Sequence, residues 1–272
     1  MRVAVLADIH ANLGALEAVL ADIAAVGVEE TVVLGDIVGY GPDPAGCIER
    51  IMALPQVRAV LGNHEAGILD DAYFAVADNF NRQARAALEW TRSQLSPAHL
   101  AYLRGLRHRV HIAPGVIGVH GTLDAPASFD YHFHERADGN GLILTESLAG
   151  TFSAMTPFNA KACLCGHSHL PVVFFADGNP VRLNFGNLPS FSVSHYGERF
   201  VACVGAVGQP RGAATRADGR PIPDAYKACY VVMDEEMITF RRVDYDVETT
   251  AAKIFANPAL PDDLGWRILR GE

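Results

Sequence analysis

The sequence predicts an α/β fold, and three observations carry that prediction. Short apolar runs of mostly branched residues recur through residues 1–170, each closed by a glycine or a polar group. Segments with helical spacing lie between several of them. The last third changes character and pairs apolar runs around hairpin-like turns. Runs of four to six apolar residues bounded in this way read as buried strands, and such strands alternating with helices read as a parallel sheet.

The first unit is Val3 to Ala7, a strand that ends in Asp8-Ile9-His10. Leu13 to Val26 then sets Leu16, Val19, Leu20 and Ile23 on one helical face, with Gly27 as C-cap. A second strand, Thr31 to Leu34, delivers Gly35-Asp36. The Gly/Pro-rich loop Gly39 to Pro44 follows, then a short helix over Ala45–Leu54 stopped by Pro55. Val57 to Leu61 leads into Gly62-Asn63-His64-Glu65. The segment of about 70–106 is rich in Ala, Leu, Arg and Gln and predicts two helices. The second of them opens at Pro97, with Ser96 as N-cap. Its aromatic residues Tyr73, Phe74, Phe80 and Trp90 read chiefly as helical core packing, with a hydrophobic rim for a nucleobase or other leaving group as the alternative.

Val116 to Val119 is a strand ending in His120-Gly121, followed by a polar loop from Thr122 to Asp138 and a helix over Thr145–Met155. Ala162 to Cys165 leads into Gly166-His167-Ser168-His169. Beyond it, Pro171–Ala176 and Pro180–Phe185 flank Asp177-Gly178-Asn179, a good hairpin turn. Tyr226–Asp234 and Met237–Tyr245 flank Glu235-Glu236 in the same way. These runs predict a second, mixed or antiparallel sheet, and Asp246–Phe255 a closing helix. No repeat, low-complexity stretch or linker divides the chain, so residues 1–272 are expected to form one domain.

Bulk properties narrow the function. Of 272 residues, 50% are hydrophobic and 19% charged, ordinary for a globular protein. No apolar stretch reaches the roughly 20 residues that span a bilayer. Arg2 runs directly into the first strand without the apolar region of a signal peptide, and a cytoplasmic protein is expected. Five cysteines with no C-x-x-C pair read as buried structural thiols. A formal charge of −9 argues against nucleic-acid binding, which relies on basic surface. It does not argue against phosphate chemistry, because bound divalent cations reverse the local field.

Five strands each ending in a potential ligand point to such cations, since parallel α/β sheets place their chemistry at strand carboxyl ends. The candidates are Asp8, His10, Asp36, Asn63, His120, His167 and His169. Oxygen and imidazole donors without thiolates suit ions such as manganese and ferrous iron, and zinc tolerates them. A carboxylate shared by two ions would hold them about 3.5–4 Å apart, the spacing of two-metal hydrolytic sites. His132 and His134 repeat the H-x-H spacing but lack a preceding strand, and they are set aside as ligands.

The motif order D-x-H, G-D, G-N-H-E, H-G and G-H-x-H resembles that of the calcineurin-like metallophosphoesterase superfamily. The stretches Ala7 to Leu13, Gly35 to Pro42 and Gly205 to Arg211 resemble its bacterial and archaeal small-phosphoesterase branch. The resemblance implies a four-layer α/β/β/α sandwich of two mixed β-sheets. It implies one metal held by Asp8, His10, Asp36 and His169, and another by Asp36, Asn63, His120 and His167, with Asp36 as bridge. It further implies His64 as the catalytic group that protonates the leaving oxygen, and Asn12 and Arg211 as phosphate contacts. The implied activity is hydrolysis of a small phosphate mono- or diester with two divalent ions, manganese first, iron or zinc as alternatives. Nucleotides or phosphoproteins are alternative substrates, and a non-catalytic binding module on the same fold is the rival reading.

Two departures stand out. Protein serine/threonine phosphatases and symmetrical dinucleoside tetraphosphatases of the superfamily carry G-D-x-V-D-R-G. Tyr40 stands where that arginine would be and cannot supply a bidentate cationic fork. The segment Ser190 to Phe200 is also longer than the direct connection expected there, either as a flap over the substrate or as an extended turn.

Overall fold

The computed structural model describes residues 2–76, 79–135, 141–176, 180–182, 190–194, 198–211 and 225–271. Strand β1 (Val3–Leu6) pairs in parallel with β2 (Glu30–Val33), and β2 with β3 (Val57–Ala59). On its other side β1 pairs antiparallel with β13 (Ala228–Met233), which pairs with β14 (Met237–Val243) and so with β11 (Ser190–Ser194). The first sheet therefore runs β11-β14-β13-β1-β2-β3. The second runs β10-β9-β12-β8-β5-β4. Its parallel centre is β5 (Val116–Val119), β8 (Ala162–Cys165) and β12 (Phe200–Val204). Antiparallel flanks are β4 (Arg109–Ala113), β9 (Pro171–Phe175) and β10 (Pro180–Arg182). Both sheets are mixed.

Period-2 alternation explains why the sheets stack. Val3, Val5, Val32 and Leu34 of the first sheet face Val116, Leu164, Phe200 and Ala202 of the second in one buried cluster. Ala4, Leu6 and Val33 point the other way, onto helices α1 (Leu13–Val26), α2 (Pro44–Met52), α8 (Val247–Phe255) and α9 (Asp262–Arg270). Ile117, Val119, Cys163 and Val201 form the outer face of the second sheet, covered by Leu148 of α7 (Glu146–Ala154). The result is the expected four-layer sandwich.

Several expectations change. Among the described residues, the 70–106 segment holds three α-helices after α3 (Asn63–Leu69): α4 (Asp71–Ala75), α5 (Arg82–Gln94) and α6 (Pro97–Arg104). Side-chain caps explain the extra break. Asp70 accepts from Ala72 and Tyr73 N–H, and Asn81 restarts the helix by accepting from Ala84 N–H. Ser96 caps α6 as expected. The polar loop after His120 contains β6 (Phe133–Glu135), which pairs antiparallel with β7 (Leu142–Leu144) beyond it. Within the 190–200 segment, residues 190–194 are an edge strand on β14 rather than a flap or turn. The hairpin turn at 177–179 and the end of the predicted Pro180–Phe185 strand lie outside the described residues.

Candidate metal centre

The parallel strands of both sheets deliver their carboxyl ends to one place. Asp8 and His10 follow β1, Asp36 follows β2, and His120 follows β5. Asn63 and His64 open α3, while His167 and His169 follow β8. Backbone bonds knit the loops together: Asp8 N to Gly35 O (3.1 Å), His10 N to Asp36 O (2.9 Å), Gly166 N to His120 O (3.0 Å) and Gly208 N to Asp8 O (2.9 Å). The last of these ties the loop after β12 across to the first sheet.

The loops are tightly wound. Asp8, His10, Ala11, Asp36, Tyr40, His167 and His169 all have φ between 47° and 65°, a left-handed conformation costly for residues with a Cβ. Glycine is required where two loops touch. A Cβ on Gly35 would lie 2.7 Å from Gly62, and one on Gly39 would lie 2.0 Å from His64 Nδ1.

Seven predicted ligands meet here. Asp8, His10, Asp36 and His169 bring four donor atoms within 4.8 Å of one another, and Asp36, His120 and His167 bring three. Asp36 belongs to both groups. Its Oδ2 is 3.5 Å from His10 Nε2 and 3.3 Å from His120 Nε2, and its Oδ1 accepts from His64 N–H at 2.9 Å. Asn63 Oδ1 lies 3.0 Å from His120 Nε2. All seven side chains are buried.

Tautomers follow from the hydrogen bonds. His10 Nδ1 donates to Val38 O at 3.1 Å, His120 Nδ1 to Leu34 O at 2.7 Å and His169 Nδ1 to Gln209 O at 2.6 Å. A carbonyl only accepts, so each ring carries a proton on Nδ1, and in the neutral rings of His10 and His169 each Nε2 presents a lone pair inward. Two such lone pairs, on His10 and His169, face each other across 3.0 Å and cannot bond to one another. His167 Nε2 is buried without a partner. A set of inward lone pairs beside a shared carboxylate is the donor arrangement that a cation satisfies.

Electrostatics agree. Burial pushes His10, His167 and His169 well below the usual imidazole range, keeping them neutral. Burial opposes ionisation of Asp36, but His120 and His64 beside it hold its carboxyl well below the ordinary range. Burial likewise works against charge on His120, yet the Asp36 carboxylate lifts it to about 9. Burial, with Asp36 as a neighbour of like charge, raises Asp8.

A residue without an assigned role in the sequence reading holds the centre in shape. Glu65 is fully buried and accepts from Asp36 N–H (2.8 Å), Gly62 N–H (2.9 Å) and Val38 N–H (3.1 Å). It lies three residues after the Gly62 N-cap, the position of a capping box, which is the signal that could have marked it.

A cleft of about 630 Å³ opens over Asp36, Asn63, His64, His167 and His169. Tyr40, Tyr73, Phe80, Phe129 and Tyr131 supply its aromatic surface and Arg211 its cation. Tyr131 stacks on His167, with centroids 3.9 Å apart, and Tyr40 packs 4.6 Å from both His10 and His64. Two readings gain detail from this geometry and one expectation is corrected. Tyr73 and Phe80 line the cleft as well as packing, and His134 also lines it. Asn12 is not available to a phosphate. Its amide donates to Gly208 O and Tyr245 Oη and accepts from Ala15 N–H and Thr250 Oγ1, so one helix-cap bond and three tertiary bonds occupy it.

Comparison with known proteins decides the family. Residues 1–213 match the calcineurin-like phosphoesterase superfamily domain. The chain belongs to that superfamily. An uncharacterized protein of Methanocaldococcus jannaschii is 32% identical over 99% of this chain and 98% of its own length. A metallophosphoesterase from Sphaerobacter thermophilus, of known crystal structure, is 32% identical with a TM-score of 0.77 over the whole of both chains. A hypothetical protein from Pyrococcus horikoshii, 23% identical over all of this chain and 98% of its own, shares the fold with a TM-score of 0.72.

Proposed function

We propose that this phosphoesterase-family protein is a dinuclear metal-dependent hydrolase of small phosphate mono- or diesters. The observation that carries the reading is the pair of overlapping ligand groups joined at Asp36. Asp8, His10, Asp36 and His169 would hold one ion, and Asp36, Asn63, His120 and His167 the other. Manganese is the first candidate for both, with iron or zinc also compatible with these donors. When bound, such ions polarise phosphoryl oxygens and lower the pKa of water to yield a nucleophile.

The chain's own residues supply the rest. Glu65 fixes the Asp36 and Gly62 loops so that donors from different strands keep their spacing. His64 Nε2 lies 4.0 Å from Asp36 Oδ2, while its Nδ1 has no partner. Burial lowers His64 to about 4, so without substrate it is a neutral ring. The negative charge of an incoming phosphoryl group favours a second proton on that ring, which His64 would then pass to the leaving oxygen. Arg211 faces the cleft with a cation for phosphate, and the aromatic walls accept an organic leaving group.

Initial rates on p-nitrophenyl phosphate and bis-p-nitrophenyl phosphate, with metal-free protein titrated by Mn²⁺, test the proposal. Metal-dependent turnover is expected, lost in Asp36→Asn. His64→Ala is expected to bind Mn²⁺ normally yet lose about 10²-fold or more in kcat, in the range of general acid–base contributions. Wild-type rates in either variant would overturn the role given to that residue.

A further inference from the structure

Away from the centre just described, three metal-competent side chains meet inside the protein. Cys165 ends β8 and Cys203 lies on β12, and the two are paired in register on adjacent parallel strands. Their sulfurs are 3.1 Å apart, well beyond the ~2.05 Å of a disulfide bond. His132, just before β6, places Nδ1 3.7 Å from Cys165 Sγ. The donor atoms of the three lie within 4.8 Å of one another, and His132, Cys165 and Cys203 are all buried.

The surroundings of His132 orient it as a ligand. Thr151 Oγ1 accepts from Leu123 N–H at 3.0 Å, and its single proton goes to Asp124 Oδ1 at 3.3 Å. The 3.1 Å contact between that hydroxyl and His132 Nε2 therefore needs the imidazole proton on Nε2. Nδ1 is left as a lone pair facing the two thiols. An imidazole whose far nitrogen is fixed through a hydroxyl to a carboxylate is the outer-sphere pattern that supports metal-bound histidine.

We propose that His132, Cys165 and Cys203 form a separate buried site for zinc. Two sulfurs and one imidazole select a borderline-to-soft ion, unlike the oxygen and imidazole donors of the cleft. Three protein ligands leave one tetrahedral position for water or a small anion. The site's place in the fold gives it a purpose. Tyr131, stacked on His167, and His134, lining the cleft, flank His132, while Cys165 directly precedes Gly166-His167-Ser168-His169. Zinc there would pin one cleft wall to the sheet that presents two of the cleft's histidines.

Cobalt substitution separates the two sites, because a sulfur-to-cobalt charge-transfer band can come only from thiolate ligation. Purified full-length protein, reduced, stripped with chelator and titrated with Co²⁺, is expected to show that band. Cys203→Ser should lose it, whereas Cys47→Ser and Asp36→Asn should keep it. Zinc X-ray absorption on the wild-type protein needs no variant, and sulfur at ~2.3 Å from zinc is the expected signature. A cobalt-loaded protein without the band, zinc surrounded only by nitrogen and oxygen, or a Cys165–Cys203 disulfide in protein purified without reductant would overturn the proposal. Each of these readouts is independent of phosphate-ester hydrolysis.

Discussion

Glu65 shows how much a single buried carboxylate can organise. Burial pushes its pKa up to about 7, while three backbone N–H donors favour the charged form. Glu65→Ala removes the acceptor of all three bonds and leaves buried donors unpaired. At about 1–3 kcal/mol for each unsatisfied group before relaxation, a loss of roughly 2–4 kcal/mol of stability is expected. Denaturant unfolding of the purified variant measures it. Manganese affinity should fall in the same variant, because Asp36 and Gly62 lose their common anchor; unchanged affinity and stability would refute this role. Gly39→Ala should be as harmful for a different reason. Its φ of +86° is unfavourable for alanine, and the new methyl would press on His64. The expected result is a fall in kcat larger than any fall in metal content, read by metal analysis beside initial rates.

At the scale of elements, helix α1 is clamped to the first sheet by one ion pair. Asp22 accepts from Arg241 Nε (2.8 Å) and Nη2 (2.9 Å) on β14, and from Tyr230 Oη (2.7 Å) on β13. The bonds to Arg241 lower the Asp22 pKa, with burial opposing. A carboxyl depressed on folding contributes stability above its unfolded pKa, near 3.9, and loses it as pH falls through the folded value. Asp22→Asn should therefore cost about 1–2 kcal/mol at neutral pH, allowing for partial solvent screening of the pair. That difference should close only in strong acid, which urea unfolding at pH 7 and below pH 4 would reveal. A pH-independent gap would disprove the linkage. The same scale shows what the sequence could disclose. β1, β5 and β8 are legible because they are buried on both faces and read as short apolar runs. α9 was not legible: it buries only Leu264, Gly265 and Ile268, and the residues before it include two prolines. β11 was misread because its pairing partner, β14, lies more than forty residues away.

For the whole molecule, the two sheets share one buried interface, and we expect them to unfold together. Leu164, fully buried on β8, packs in that interface with residues of both sheets. Leu164→Ala should cost about 2–5 kcal/mol and shift a single unfolding transition, followed by both circular dichroism and tryptophan fluorescence. Two separated transitions would show that the sheets are independent units. The site was legible at this scale because its ligands fall at strand ends in a fixed order. The His132, Cys165 and Cys203 grouping was not, since only strand pairing brings residues 38 positions apart into contact. Nor was the fate of Asn12, whose partners Gly208, Tyr245 and Thr250 come from the distant end of the chain.

The left-handed turns at Asp8, His10, Ala11, Asp36, Tyr40, His167 and His169 bear on how this protein can evolve. Each costs about 1–2 kcal/mol that glycine would relieve. Selection for heat resistance alone, with no demand for catalysis, should therefore drift toward glycine or asparagine at these positions. A laboratory lineage propagated that way would harden while its centre dissolved, and the order in which the seven positions are lost would rank how strongly each turn resists the fold around it.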